Sequence, residues 1–306
     1  MITGAYRFPR QDTVIYGRPA REAVIELAKR YNAKRLFIFT TRSLASDLAA
    51  RLASDLGSLC VGTFSAIASH SPRSDVIAGA IAAREADADL LVALGGGSVI
   101  DATKLIQLCL WADLTSTNQL APYRMGRGDD RKDASQIPSG IRMVAIPTTL
   151  SAAEFTPFAG VTDGENNVKE SFTHPDFAPR AVILDPALTL FTPQRLWSST
   201  GMKAIDHAVE QLCNLERSPM GDAVASEGLR LLAKGLRASH DDPSDLEARS
   251  QCQHGMWLAI SGAATGRGMG ASHAIGHTLG GSYGVPHGIT SCITLHATLE
   301  WNRAYS

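Results

Sequence analysis

Leu90-Leu91-Val92-Ala93-Leu94-Gly95-Gly96-Gly97-Ser98-Val99-Ile100-Asp101-Ala102-Thr103-Lys104 is the stretch that decides the fold. An apolar run ends in three glycines and gives way to apolar residues at helical spacing, which predicts a strand, a tight turn and a helix in succession. Glycines let a backbone approach a phosphate closely, and the first N–H groups of a helix lie unpaired at its positive dipole end. A pyrophosphate would rest at this turn. The plainer alternative is a strand-to-helix turn that binds nothing.

Outward from this segment the first half alternates. Residues 35–40, 59–64, 90–94 and 142–146 are short apolar runs bounded by polar, Gly or Pro residues, and read as buried parallel strands. Residues 21–31, 43–56 and 73–86 carry apolar positions at helical spacing, so the pattern is a series of β-α-β units and a doubly wound sheet. From about residue 186 the strand signal stops, and helical stretches follow at 194–214, 221–238 and 246–264. The expectation is an α/β domain over residues 1–185 and an all-helical domain over 186–306. The polar stretch 126–133 reads as a solvated loop within the first domain. Thr148 and Thr149 follow the strand at 142–146, and the carboxyl end of such a strand lines the crevice where ligands bind in open α/β sheets. A proline-set turn with solvated threonines is the alternative there. Gly266-Arg267-Gly268-Met269-Gly270-Ala271 satisfies G-x-G-x-x-A but lies between helices, and is taken as accidental.

A chain of 306 residues with 44% hydrophobic content is long enough for two packed domains. Its net charge of −1 and mixed signs offer no basic face for nucleic acid and no polybasic membrane segment. No run reaches the roughly 18 apolar residues of a membrane span, and the first residues lack a secretory pattern. Five scattered cysteines without a C-x-x-C suggest neither a disulfide framework nor a thiolate metal site, so the expected location is the cytoplasm and the expected partner a small-molecule substrate. No G-x-S-x-G elbow argues for a hydrolase.

The nine histidines cluster toward the C-terminal end. His273 and His277 are four apart and share one helical face, as do Lys203 and His207, and His287 follows shortly after. Three or four imidazoles converging on a cavity would hold a zinc-like or iron-like ion. Separately satisfied core or surface histidines are the alternative.

Together these motifs resemble the iron-containing (group III) alcohol dehydrogenase superfamily. The resemblance is carried by Gly95-Gly96-Gly97-Ser98-x-x-Asp101-x-x-Lys104, Pro147-Thr148-Thr149, Leu184-Asp185-Pro186 and Gly201-Met202-Lys203-Ala204-Ile205-Asp206-His207-Ala208-Val209-Glu210. To these it adds the terminal histidine block, in matching order over nearly the whole chain. The short continuation Ser151-Ala152-Ala153-Glu154-Phe155-Thr156-Pro157 is closest to the maleylacetate reductase-like branch.

The resemblance implies a Rossmann-like N-terminal domain, a helical metal or substrate domain, an NAD(P)H cofactor and a homodimer. By position, Gly96, Gly97 and Ser98 would hold the pyrophosphate, Asp101 would lie near the nicotinamide end, Thr148 and Thr149 would line the adenosine side, and Lys169 would contact the cofactor from a β-hairpin. NAD-preferring relatives carry an aspartate where Thr41 falls; without that carboxylate nothing repels a 2′-phosphate, and Arg42 would attract one. NADPH is therefore expected alongside NADH.

Metal-dependent relatives use an aspartate and three histidines, which map to Lys203, His207, His273 and His287. Lys203 replaces an anionic ligand with an ammonium, so an iron or zinc ion is less expected here than in the parent family. Asp206, about 300° around the helix, would compensate only by distorting the turn. Lys203 would instead supply the missing positive charge. Lys203, His207 and His287 would then hold developing negative charge while His277 relays a proton. Arg267, Lys203 and Trp197 are candidates for substrate contact, with an ordinary surface or packing role as the alternative for each. The sequence stops at residues 301–306 within an expected helix where relatives continue, which suggests an abbreviated helical domain.

Three readings stand. One is a metal-independent reductase of an unsaturated or keto dicarboxylate, of the kind that turns maleylacetate into 3-oxoadipate in aromatic degradation. Another is an iron- or zinc-dependent alcohol dehydrogenase using His207, His273 and His287. The third is a cofactor-binding remnant without turnover.

Overall fold

The computed structural model describes residue 6 and residues 8–126, 130–166, 168–216, 218–265 and 268–304, with the backbone alone at 264, 265, 281, 282 and 287. It divides into an α/β unit, Pro9–Thr148 with Thr156–Leu188, and a helical unit that joins Thr149–Phe155 to the chain from Thr189 onward.

In the α/β unit the chain runs through β1 (Thr13–Tyr16), α1 (Ala20–Arg30), β2 (Leu36–Phe39), α2 (Arg42–Leu44) and α3 (Ala50–Leu56). It continues through β3 (Cys60–Phe64), α4 (Arg73–Glu85), β4 (Leu90–Gly95), α5 (Gly97–Trp111), α6 (Thr117–Leu120), β5 (Met143–Pro147), β6 (Phe158–Asp163), β7 (Val168–Thr173) and β8 (Ala181–Leu184). Six strands make one parallel sheet in the order β1-β8-β5-β4-β2-β3, and β6 and β7 form a separate antiparallel hairpin. Leu36 and Ile38, Leu90, Val92 and Leu94, Val144 and Ile146, and Ala181 and Ile183 pack on one face with Val24, Leu27, Leu52 and Leu56. Their alternates Phe37, Phe39, Leu91, Ala93, Met143 and Ala145 are equally buried. With helices over both faces, neither set of side chains meets water, which is why these strands read as unbroken apolar runs. The doubly wound fold is as the sequence predicts.

Two strands of the parallel sheet escape the sequence reading. β1 is only four residues long and half-buried at the sheet edge, and β8, although wholly apolar, is short and preceded by irregular chain. The continuous helix expected over 43–56 is instead broken by a π turn at Ala45–Ala49. From the loop expected at 126–133, positions 127–129 lie outside the described residues; Asp130 is exposed and pairs with Arg124 at 3.0 Å.

After β2 the chain turns toward β3, and after β4 toward β5 on the opposite side. The carboxyl ends of β2 and β4 thus flank the switch point of the sheet, where open α/β folds bind ligands.

The helical unit contains α7 (Gln194–Leu212), α8 (Pro219–Asp241), α9 (Leu246–Ser261), α10 (Ala271–Tyr283) and α11 (His287–Arg303). α8 and α9 approach to backbone contact: a Cβ on Gly228 would lie 2.7 Å from the Ala259 nitrogen, and one on Gly255 would lie 2.9 Å from the Leu232 nitrogen. Side-chain caps fix both helix starts, Ser218 Oγ accepting from the Gly221 N–H and Asp245 from that of Ala248. Trp197 is a core pillar here, fully buried, donating to Ser239 Oγ at 3.0 Å with the Arg249 guanidinium 4.6 Å over its ring. Of the two roles open to Trp197, substrate contact or packing, the structure shows packing; Arg267 lies outside the described residues. Among the described residues no helix is long and apolar enough to cross a membrane, and all five cysteines are free.

Candidate active site

The glycine turn after β4 is built as its sequence demands. Gly95 has φ +154°, and a Cβ there would lie 2.7 Å from Val99 Cγ2, so only glycine fits. Gly96 caps α5, and Gly97 and Ser98 open it. The Thr148 N–H donates to the Gly95 carbonyl at 3.0 Å, tying the turns that follow β4 and β5. Ser98 Oγ accepts from the His70 N–H at 3.2 Å, and the Ser71 hydroxyl donates to the Ser98 carbonyl at 2.7 Å. Because its oxygen is the acceptor, the Ser98 hydroxyl proton is left for a ligand oxygen. His70 and Ser71 both have positive φ, +65° and +52°, a conformation that costs about 1–3 kcal/mol per residue and concentrates at ligand sites.

Asp101, one turn into α5, accepts from the Gly160 N–H of β6 at 3.0 Å. Burial pushes its carboxyl upward, opposed by Lys104, the Gly160 N–H and Lys169. The fully buried Lys104 ammonium donates to the Phe158 carbonyl at 2.6 Å and the Thr156 carbonyl at 2.9 Å, anchoring the hairpin against α5. Lys169 crosses Gly160, where a Cβ would meet its Cε at 2.8 Å, so the hairpin brings Lys169 toward Asp101. At the end of β2, Thr40 Oγ1 donates to the Leu94 carbonyl at 2.8 Å, and Thr41 shares a hydrogen bond with Ser43 at 2.9 Å. Arg42 is exposed, and the carboxylate in the next turn, Asp47, pairs with Arg51 at 2.6 Å. Thr148 and Thr149 are both buried, and Thr149 Oγ1 has no hydrogen-bond partner among the described residues. A glycine cradle at a helix N-terminus and a serine proton left for a ligand oxygen fit a dinucleotide.

The second cluster lies in the helical unit. Lys203, His207 and Glu210 fall along one face of α7, and His273 comes from α10. Lys203 Nζ is 3.0 Å from His273 Nδ1 and 3.6 Å from Asp206 Oδ2. Asp206 reaches this group as the i+3 neighbour of Lys203 within a continuous helix. The expected distortion of the turn is therefore corrected: 300° forward is only 60° back. Asp206 is fully buried, and its Oδ2 accepts from Ser291 Oγ at 2.6 Å and Ser272 Oγ at 3.1 Å. Glu210 lies at the N-terminus of α10, its Oε1 accepting from the His273 N–H at 3.2 Å, and a Cβ on Gly270 would collide with it at 2.7 Å. Gly270 thus serves helix entry. The His207 and His277 rings lie 5.0 and 5.5 Å from that of His273; His207 is buried and His277 exposed. The His287 side chain lies outside the described residues.

Burial holds the His273 imidazole below its ordinary range, reinforced by Lys203 and opposed by Glu210 and Asp206. Burial raises Glu210, but the hydrogen bonds and charge of His273 and the Gly270 N–H outweigh it and leave the carboxyl below its usual range. Ligand-type atoms of Asp206, Glu210 and His273 lie within 4.8 Å of one another, which by itself suits a cation. Lys203 Nζ already stands against two of the three. A divalent ion added there would face an ammonium a few ångströms away, so the set does not fit a metal while Lys203 is charged.

Sequence spacing gives Asp206 only a strained part in the site and gives Glu210, Ser272, Ser291 and His70 none. Helical spacing from Lys203 and His207 would have found the two acids. Nothing local marks the serines or His70.

Residues 11–186 match the model for iron-containing alcohol dehydrogenase, and residues 198–305 match the C-terminal model of the Fe-containing alcohol dehydrogenase family. Maleylacetate reductase 2 of Cupriavidus pinatubonensis is 34% identical over 246 residues, which is 80% of this chain and 60% of that protein. A maleylacetate reductase structure from Agrobacterium tumefaciens superposes with a TM-score of 0.79 at 30% identity, covering 96% of this chain and 74% of that one. A 1,3-propanediol oxidoreductase structure gives a TM-score of 0.85 at 27% identity, covering 98% and 76%. The chain belongs to the iron-containing alcohol dehydrogenase family, on its maleylacetate reductase-like branch. It spans about three fifths of the length of the curated relatives it matches.

Proposed function

We propose that the chain is an NAD(P)H-dependent reductase of an unsaturated or keto dicarboxylate, acting like maleylacetate reductase and independently of metal. The observation that carries this reading is Lys203: its ammonium stands 3.0 Å from His273 and 3.6 Å from Asp206, in a buried cluster where relatives that use metal have a ligand. A fixed cation suits an electron-rich oxygen of a substrate that gains negative charge during reduction. The bound nicotinamide supplies the hydride. Gly96, Gly97 and Ser98 hold the pyrophosphate, with Asp101, Thr148, Thr149 and Lys169 as further cofactor contacts. Lys203 and His207, with His287, hold the developing charge, and His277 relays a proton to the carbon left electron-rich. Thr41 and Arg42 admit a 2′-phosphate, so both nicotinamide cofactors serve. A cytoplasmic homodimer working in aromatic-compound degradation completes the reading.

The trio Asp206, Glu210 and His273 favours a second reading, a metal-dependent alcohol oxidoreductase. One experiment separates them: oxidation of NADH and NADPH with maleylacetate, before and after chelation, with elemental analysis of the protein. The expected result is turnover indifferent to chelation, with Michaelis constants for the two cofactors within about tenfold of each other. Activity lost on chelation and restored by iron or zinc would establish the metal reading. Cofactor binding without turnover on maleylacetate or on alcohols would mark a remnant.

A further inference from the structure

We propose that Asp206 is a positioning residue. With Ser272 and Ser291 it fixes Lys203 as an internal cation, and through Lys203 it makes His273 a hydrogen-bond donor, not a metal ligand. The substrate that would receive this hydrogen bond comes from the reductase reading above; the geometry does not depend on it.

Three helices converge on one carboxylate oxygen. Asp206 Oδ2, from α7, accepts the Ser272 hydroxyl of α10 at 3.1 Å and the Ser291 hydroxyl of α11 at 2.6 Å. Ser272 Oγ is itself 2.8 Å from Thr294 Oγ1, whose own hydrogen bonds run to carbonyls of α10 and α11. The Lys203 Nζ stands 3.6 Å from the same oxygen, so the carboxylate is surrounded by two hydroxyl donors and an amine. Lys203 is itself buried beside it, with the residue 3% exposed.

The consequence for His273 follows from valence. An ammonium has protons to give and no lone pair, so at 3.0 Å His273 Nδ1 is the acceptor. A neutral imidazole carries one proton, which then sits on Nε2. Glu210 Oε2 is 3.4 Å from the same Nδ1 and would suit the opposite tautomer. That tautomer requires Lys203 to be a neutral amine, which Asp206 beside it opposes. With Nδ1 occupied by Lys203 and Nε2 protonated, His273 has no lone pair left for a metal. Its Nε2–H suits a carboxylate or enolate oxygen. The replacement at position 203 therefore reverses the polarity of a histidine seventy residues away in the chain.

The test is nitrogen-15 NMR of the full chain labelled at histidine, with His273 assigned by its loss in His273→Gln. The expected spectrum shows Nδ1 as the unprotonated acceptor and Nε2 as the protonated nitrogen, with the proton moving to Nδ1 or shared between the two in Lys203→Met. A wild-type spectrum with the proton on Nδ1 overturns the proposal. Calorimetry with zinc alone is the second arm: the wild-type cluster should give no binding heat and Lys203→Asp should bind about one equivalent. Zinc taken up by the wild type, and lost in His273→Gln, overturns the proposal as well. On maleylacetate, Asp206→Asn should lower kcat about a hundredfold and Ser291→Ala about tenfold, with the KM for NADH unchanged and partial recovery in Asp206→Glu. Full kcat in Asp206→Asn, or a loss of kcat only in step with thermal stability, counts against it. If no variant, and not the wild type, turns over maleylacetate, the reductase reading fails alone and the NMR and calorimetry still decide the role of Asp206.

Discussion

At the carboxyl end of β4 the groups that would face a ligand are backbone N–H donors and one hydroxyl, set by Gly95 at φ +154° and the opening of α5. In the helical unit the working groups are side chains from α7, α10 and α11, held by one another's charge and hydrogen bonds. The first site tolerates many side chains and few changes of backbone; the second follows an ordinary helical backbone and tolerates few changes of side chain. Variation at one position therefore means different things in the two places. A change of side chain at position 203 would leave α7 intact and alter the chemistry, whereas a side chain at position 95 would alter the turn and leave the charge unchanged.

The largest expected effect lies in the charge-built site. Lys203→Met leaves Asp206 and Glu210 buried beside each other with no cation, and losing one partner of a buried pair costs about 3–5 kcal/mol. The double variant Lys203→Met with Asp206→Asn removes both charges and should recover most of that stability. Urea denaturation of the wild type, the single and the double variant measures this. A single variant as stable as the wild type would break the comparison, because the cluster would then not depend on charge balance.

In the backbone-built site, Gly95→Ala forces a Cβ to 2.7 Å from Val99 Cγ2 at a φ that side chains avoid, for a cost of about 1–3 kcal/mol. Affinity for NADH, followed by fluorescence titration, should fall with it, while the tautomer of His273 stays as in the wild type. Unchanged NADH affinity in a folded Gly95→Ala protein would mean that the dinucleotide does not rest on this turn.

The sequence disclosed these regions unequally, for the same physical reason. The glycine turn, the strands β2 to β5 and the helices α1, α4, α7, α8 and α9 follow from local periodicity, because each is decided by residues adjacent in the chain. β1 and β8 are too short to announce themselves, and the six-stranded order depends on pairings between Thr13–Tyr16 and Ala181–Leu184, far apart in sequence. Lys203 and the histidines were legible as anomalies of spacing and type. Ser272 and Ser291 were not, since a serine on a helix has no local mark that says it donates to a carboxylate of another helix. Asp206 was misjudged for a geometric reason: a step of three residues overshoots the helical face by a small angle that a flexible carboxylate spans.

The smallest expected effect concerns His174, which offers a control for His273. Both imidazoles are buried and held below the ordinary histidine range, but the partners of His174 are backbone groups. Its Nδ1 accepts from the Asp176 N–H at 2.9 Å, its Nε2 donates to the Ile137 carbonyl at 3.0 Å, and its ring lies 4.8 Å from Trp111. Burial is the main cause of the lowered value, with Arg10 and Arg142 adding to it and the Ile137 carbonyl and Asp176 opposing. Protonation would break the bond from Asp176, so the folded state resists a proton that the unfolded chain accepts near its ordinary value of 6.5. The unfolded state binds more protons below that value; stability supplied by neutral His174 is present above it and is lost as the pH falls toward the folded value. Melting temperatures measured from about pH 8 to about pH 5 should therefore decline less steeply in His174→Gln than in the wild type. Equal slopes would show that a neutral histidine satisfied by backbone groups contributes no pH dependence here. Any acid sensitivity would then have to come from side-chain clusters such as the one around Lys203.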